Sequence, residues 1–103
     1  MADEKNIHAG HRERMRERFL ATGFEGFEQH QILEMLLYYT CPRIDTNVLA
    51  HTLINRFGSI SGVFDASPEE LTKVSGISLN TAVLFKMIPK CTQIYYTSRT
   101  EYN

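Results

Sequence analysis

The sequence predicts an all-α domain, a small bundle of five to six helices. Three observations carry that expectation. Apolar residues recur at helical spacing in several separate windows, glycines, prolines and Ser or Asp capping residues stand where those windows begin and end, and the β-branched runs Ile94–Thr97 and Ser59–Ile60 find no partner strand. At 103 residues the chain has the length of one domain and hides about 60 to 68% of its unfolded surface on folding, so no disulfide or metal staple is required.

Residues 1–10 lack apolar periodicity and include Gly10, which reads as a disordered leader. The domain is expected over residues 11–97. Its first helix starts at His11, places Met15, Phe19 and Leu20 toward one side and meets Gly23 at the C′ position. Glu28–Thr40 carries Ile32, Leu33, Leu36, Leu37 and Tyr38 or Tyr39 on a wide apolar face, as a central buried helix does, and Cys41-Pro42 stops it. Asp45 or Thr46 caps a third helix with Val48, Leu49, Leu53, Ile54 and Phe57 inward and Gly58 behind it. A short helix follows over Ser59–Phe64. Ser67-Pro68-Glu69-Glu70 is a strong start signal for another brief one, closed near Gly76. Leu79 to Tyr96 forms the last helix, kinked or broken at Pro89, and residues 98–103 read as a tail or the start of a linker.

Composition narrows function. Eleven Lys and Arg against twelve Asp and Glu leave a net charge of -1, so a polyanion surface has to be local. The polar start has no signal-peptide core and no apolar run reaches the roughly 18 residues of a membrane span, which points to the cytoplasm. Cys41 and Cys91 form no C-x-x-C pair and read as free thiols at or near the core. No cofactor is implied and no catalytic triad or carboxylate pair is assignable, so the chain reads as non-enzymatic. His8 and His11 stand three apart, but a histidine at a helix start is far more often polar surface than a metal ligand. Arg12, Arg14, Arg16 and Arg18, interleaved with Glu13 and Glu17, read as a solvated face with i, i+3 and i, i+4 pairs rather than a phosphate stripe.

From Leu71 to Thr100 the chain has Lys73, Lys86, Lys90 and Arg99 and no carboxylate. Within that window Leu71 to Leu84 reads as two helices about a tight turn: Gly76 permits the turn, Ile77 tucks beneath both helices and Ala82 allows close approach. Amides at the turn and at the second helix's N-terminus then face outward, where they suit a phosphate oxygen, with Lys73 and Lys86 beside them. The run resembles the helix-hairpin-helix motif, apolar-x-x-apolar-x-Gly-apolar-Gly-x-x-x-Ala, with Ser78 in the place of the second glycine. A positive φ there would strain serine. Where related DNA glycosylases carry a Schiff-base lysine this chain has Asn80. The expected contact set is Lys73, Gly76, Ile77, Ser78, Asn80, Thr81, Lys86 and Lys90, reading DNA backbone without sequence specificity. Leu33 to Ala50 repeats the helix–connector–helix pattern around Ile44 without a glycine, as the structural member of a degenerate tandem pair.

A wider resemblance runs from Gly10 to about Tyr96. Gly10 to Phe19, Glu34-Met35-Leu36-Leu37-Tyr38-Tyr39, Pro42 to Asn47, Arg56-Phe57-Gly58-Ser59 and Ala66 to Leu71, in this order, resemble the N-terminal domain of the RadC family. That resemblance implies a helical domain, traditionally labelled DNA repair, ahead of a JAMM-type metalloprotease-like domain with an H-x-H and Asp zinc site. The chain's histidines, His8, His11, His30 and His51, do not supply that site. Two functions follow as expectations: a non-catalytic DNA-binding module, or a protein-interaction and regulatory domain that packs on the metalloprotease-like domain through Tyr95 and Tyr96.

Overall fold

A computed structural model of the chain describes residues 4–101, with side chains described over residues 10–100. Its elements are α1 (Glu4–Thr22), α2 (Gln29–Leu37), α3 (Thr46–Phe57), α4 (Ile60–Asp65), α5 (Pro68–Thr72) and α6 (Leu79–Glu101), and the described residues include no strand.

Local chemistry sets most of the boundaries. Asp45 Oδ1 accepts from the amides of Asn47 and Val48, Ser59 Oγ from Gly62 and Ser67 Oγ from Glu70, so α3, α4 and α5 each open on a side-chain cap. Pro68 occupies the first turn of α5, where its missing N–H costs nothing. Gly58 closes α3 at φ +90°, its amide bonded to the Ile54 carbonyl. Gly23 does the same for α1, donating to Phe19 O at 2.7 Å.

The principal core lies among α2, α3, α4 and α6. Leu33 and Leu37, Leu53, Val63, Leu71 and Phe85 are all fully buried there, each apolar side chain contributing about 1.5–3 kcal/mol relative to exposure. A smaller cluster of Met15, Met35 and Tyr38, with Phe27 against it, attaches α1.

Several expectations are corrected. The helix expected from His11 already begins at Glu4, so residues 4–10 are helical rather than a leader, and residues 1–3 lie outside the description. Residues 98–101 continue α6 instead of forming a tail, while 102 and 103 lie outside the description. Helix α2 stops at Leu37 because residues 38–40 tighten into turns, Tyr39 N–H reaching Leu36 O and Thr40 N–H reaching Leu37 O. Pro89 neither breaks nor ends α6, which runs through it. Leu20 and Val48 point to solvent, with Ala50 taking the inward place on α3. Cys41 is buried, but Cys91 is exposed.

Gly62 is where the packing of α3 against α4 is tightest. A Cβ at this helical position would collide with the Phe57 carbonyl oxygen at the end of α3. Gly62→Ala, normally favourable inside a helix by about 1 kcal/mol, is therefore expected to destabilise the domain by about 1–3 kcal/mol. Urea unfolding of the two proteins measures the sign.

Candidate functional site

The α5–α6 corner forms as a tight turn. Gly76 sits at φ +94°, with Ile77 buried behind it and its amide donating to Val74 O at 3.0 Å. Ser78 has no positive φ, so the strain expected for a serine at this position does not arise. Instead its side chain caps α6: Oγ accepts from Thr81 N–H at 3.3 Å and its carbonyl from Ala82 N–H at 3.0 Å.

The expected contact residues divide sharply. Lys73, Gly76, Ser78, Asn80 and Lys90 are exposed. Ile77 and Thr81 face inward; Thr81 is 0% exposed and its hydroxyl donates to Thr40 Oγ1 at 2.9 Å, bracing α6 against the α2–α3 connector. Lys86 is partly buried, and its Nζ donates to the carbonyls of Phe64 and Ala66 at 2.9 and 3.0 Å, closing the C-terminal end of α4. Lys73 bonds Glu70 Oε1 at 3.1 Å, and that bond holds the Glu70 carboxyl below its ordinary range, with Arg56 adding to the effect. Among the described residues the amides of Ser78, Leu79 and Asn80 have no internal acceptor. The corner therefore offers three outward amides with most of its nearby cations already engaged.

The arginine-rich face of α1 also differs from expectation. Among the described residues neither Glu13 nor Glu17 forms an ion pair. Arg12 donates to Cys41 O and Ile44 O, each at 3.1 Å, and lies over the Tyr38 ring; Arg18 donates to Gly26 O at 3.0 Å and lies over Phe27. These guanidiniums staple α1 to the body.

Beside that staple is a group the sequence reading passed over. Glu34, on α2, is 2% exposed. Its Oε2 accepts from the Tyr38 hydroxyl at 2.9 Å and lies 3.2 Å from His11 Nε2, while Oε1 is enclosed and has no partner. An unmatched buried acceptor costs about 1–3 kcal/mol, more when charged. A cleft of about 320 Å³ opens here between α1, α2 and the first turn of α3. The signal was present in the sequence: a glutamate inside the apolar run Ile32 to Leu37, with Tyr38 one helical turn on. No group of three or more His, Cys, Asp or Glu among the described residues is placed to hold a metal ion. No described helix is long and apolar enough to cross a membrane.

Burial, reinforced by the bond to Glu34, pushes the Tyr38 phenol well above its ordinary value near 10. Because the unfolded phenol releases its proton first, stability should hold up to about pH 9 and fall above about pH 10. Tyr38→Phe should lower stability at neutral pH by about 1–3 kcal/mol through the lost bond to the carboxylate and flatten the alkaline decline. Urea unfolding between neutral pH and pH 11 compares the two slopes.

Two curated proteins are similar to the chain in sequence. The chain is 41% identical over 87 residues to a UPF0758 protein of Fusobacterium nucleatum, covering 84% of this chain and 38% of that one. It is 35% identical over 85 residues to a UPF0758 protein of Rhodobacter capsulatus, covering 82% of this chain and 40% of the relative. The chain thus spans about two fifths of the length of these curated relatives. No family model matches it. No solved structure matches it either.

Proposed function

We propose that the domain is a non-catalytic docking module, and that the outer half of α6 is the surface through which it packs on the remainder of a longer UPF0758-type protein. One observation carries this reading: every residue from 91 to 100 is exposed, including Ile94 at 69% and Tyr96 at 64%, yet the helix continues through all of them. This stretch, which extends a helix anchored by Ala82 and Phe85, is rich in β-branched and aromatic residues of modest helix propensity. A covering partner supplies what local propensity lacks. The relatives' much greater length supports a partner carried on the same chain, and the resemblance to RadC implies a metalloprotease-like one. Lys90 stands beside the aromatic face with no carboxylate between it and Thr100, which suits an acidic partner surface.

Hydrogen exchange tests it. In this chain alone the amides of residues 91–100 should exchange with almost no protection, and in the full-length Fusobacterium relative the corresponding segment should slow by at least about tenfold. Equal protection in both, or none in either, removes the docking reading.

A second reading, DNA backbone binding, is favoured by the three outward amides of Ser78, Leu79 and Asn80 at the start of a long helix. Binding of a DNA duplex followed by anisotropy across salt should give a log–log slope of about −0.9 for each phosphate contacted, and Ser78→Asp should abolish it. Absence of binding at low salt removes this second reading.

A further inference from the structure

The anchored half of α6 also carries an exposed apolar stripe that continues into its outer half. Leu79, Val83, Met87, Lys90, Ile94 and Thr97 are all exposed, Leu79 at 64% and Val83 at 47%. At about 100° per residue these six fall within roughly 80° of arc, on the side of the helix opposite the buried Thr81, Ala82 and Phe85. From Val83 onward the spacing alternates four and three through Met87, Lys90, Ile94 and Thr97, the a and d pattern of a coiled-coil seam. A helix face that packs on a broad core is about 100° wide or more, so a stripe this narrow is shaped for one helix lying along it. Toward its outer end a shallow hollow is bounded by four residues, Gln93, Ile94, Thr97 and Ser98, the number that bounds the hole for an incoming side-chain knob.

We propose that a partner helix packs along this seam and sets a carboxylate against Lys90. The proposal rests on the docking reading above, with the helix carried by the rest of the longer protein. Lys90 decides between this occupant and a second copy of the chain. It is the one charged residue of the seam, and it has no hydrogen-bond or ion-pair partner among the described residues. Covering the seam takes its ammonium out of water, which is costly unless an opposite charge meets it. Two copies of α6 laid seam to seam between Leu79 and Thr97 have no carboxylate to offer, because residues 71–100 contain neither Asp nor Glu. A single charged residue in such a seam also fixes the register in which the two helices meet.

Two measurements test this. In the full-length Fusobacterium relative, cysteines at the positions aligned with Val83 and Met87 should react with a maleimide at least about tenfold more slowly than Val83→Cys and Met87→Cys in this chain, followed by peptide mass spectrometry. Equal rates overturn the seam even where residues 91–100 exchange slowly, whereas failure of the docking reading shows as equal exchange of residues 91–100 in both proteins. The charge is tested by NMR titration of this chain with two synthetic helical peptides, each with leucines at a and d and one charged residue in mid-seam, Glu in one and Lys in the other. The Glu peptide should move the amides of residues 83–97 and bind about tenfold more tightly than the Lys peptide, and Lys90→Met should bring the two within about twofold. The proposal is overturned by equal affinity of the unaltered chain for both peptides, by no shift of these amides with either, or by a dimer in sedimentation that Val83→Glu dissolves, which makes a second copy the occupant.

Discussion

Four of the nine residues of α2, Leu33, Glu34, Met35 and Leu37, are buried, and a helix with that wide an inward arc cannot be covered from one side. Leu33 and Leu37 are enclosed in the principal core that Leu49, Leu53, Val63 and Phe85 complete from α3, α4 and α6. Met35, with Tyr38 just beyond the helix, turns the other way and packs with Met15 of α1. Glu34 lies between these neighbours in sequence, so covering them encloses the carboxylate as well. A lone buried charge would be strongly destabilising. The Tyr38 hydroxyl, one helical turn on, and the His11 imidazole are what the fold places against it, and the imidazole arrives only because α1 is docked.

That docking has an unusual character. Met15 is the sole side chain of α1 counted among the buried core residues described, so the helix is held chiefly by long side chains that reach across to backbone carbonyls. Arg12 reaches the α2–α3 connector, and Arg18 reaches the loop ahead of α2. Guanidiniums suit this because their fixed fork serves two acceptors while the stem covers an aromatic ring. A helix attached through polar arms leaves space beneath them, and the cleft beside Glu34 is that space.

The helices were legible wherever a cap or a buried stripe wrote them. Asp45, Ser67-Pro68 and Gly58 mark boundaries through interactions with residues no more than four positions away, which is why a linear reading finds them. The boundary errors have the opposite cause. Residues 4–10 have no stripe of their own, and Pro89 looks like a stop although the helix continues through it. Ser78 looked like a flawed glycine because the motif prescribes one, whereas the backbone there keeps a negative φ and uses the hydroxyl as a cap. Glu34 was legible only as an anomaly, a charge inside an apolar run. Its partner His11 lies 23 positions away, and no periodicity reports a contact at that separation.

The acid-free window from Leu71 to Thr100 shows why charge along a sequence is not charge on a surface. Lys73 meets Glu70, one residue outside the window, and Lys86 turns back to the carbonyls of Phe64 and Ala66. Both lysines nearest the turn are thereby drawn into structural work, and an ammonium bonded to two carbonyls has fewer protons left to give a phosphate. The window's other cations, Lys90 and Arg99, stand on the outer half of α6, where Arg99 already donates to the Tyr95 hydroxyl, beside Ile94 and the two tyrosines that no described element covers. Charge and exposed apolar area therefore coincide on the helix that leaves the body, not at the turn. A surface that combines exposed aromatic area with nearby cations resembles the face of a protein partner, whereas the corner offers outward amides, so the two surfaces suit different chemistries.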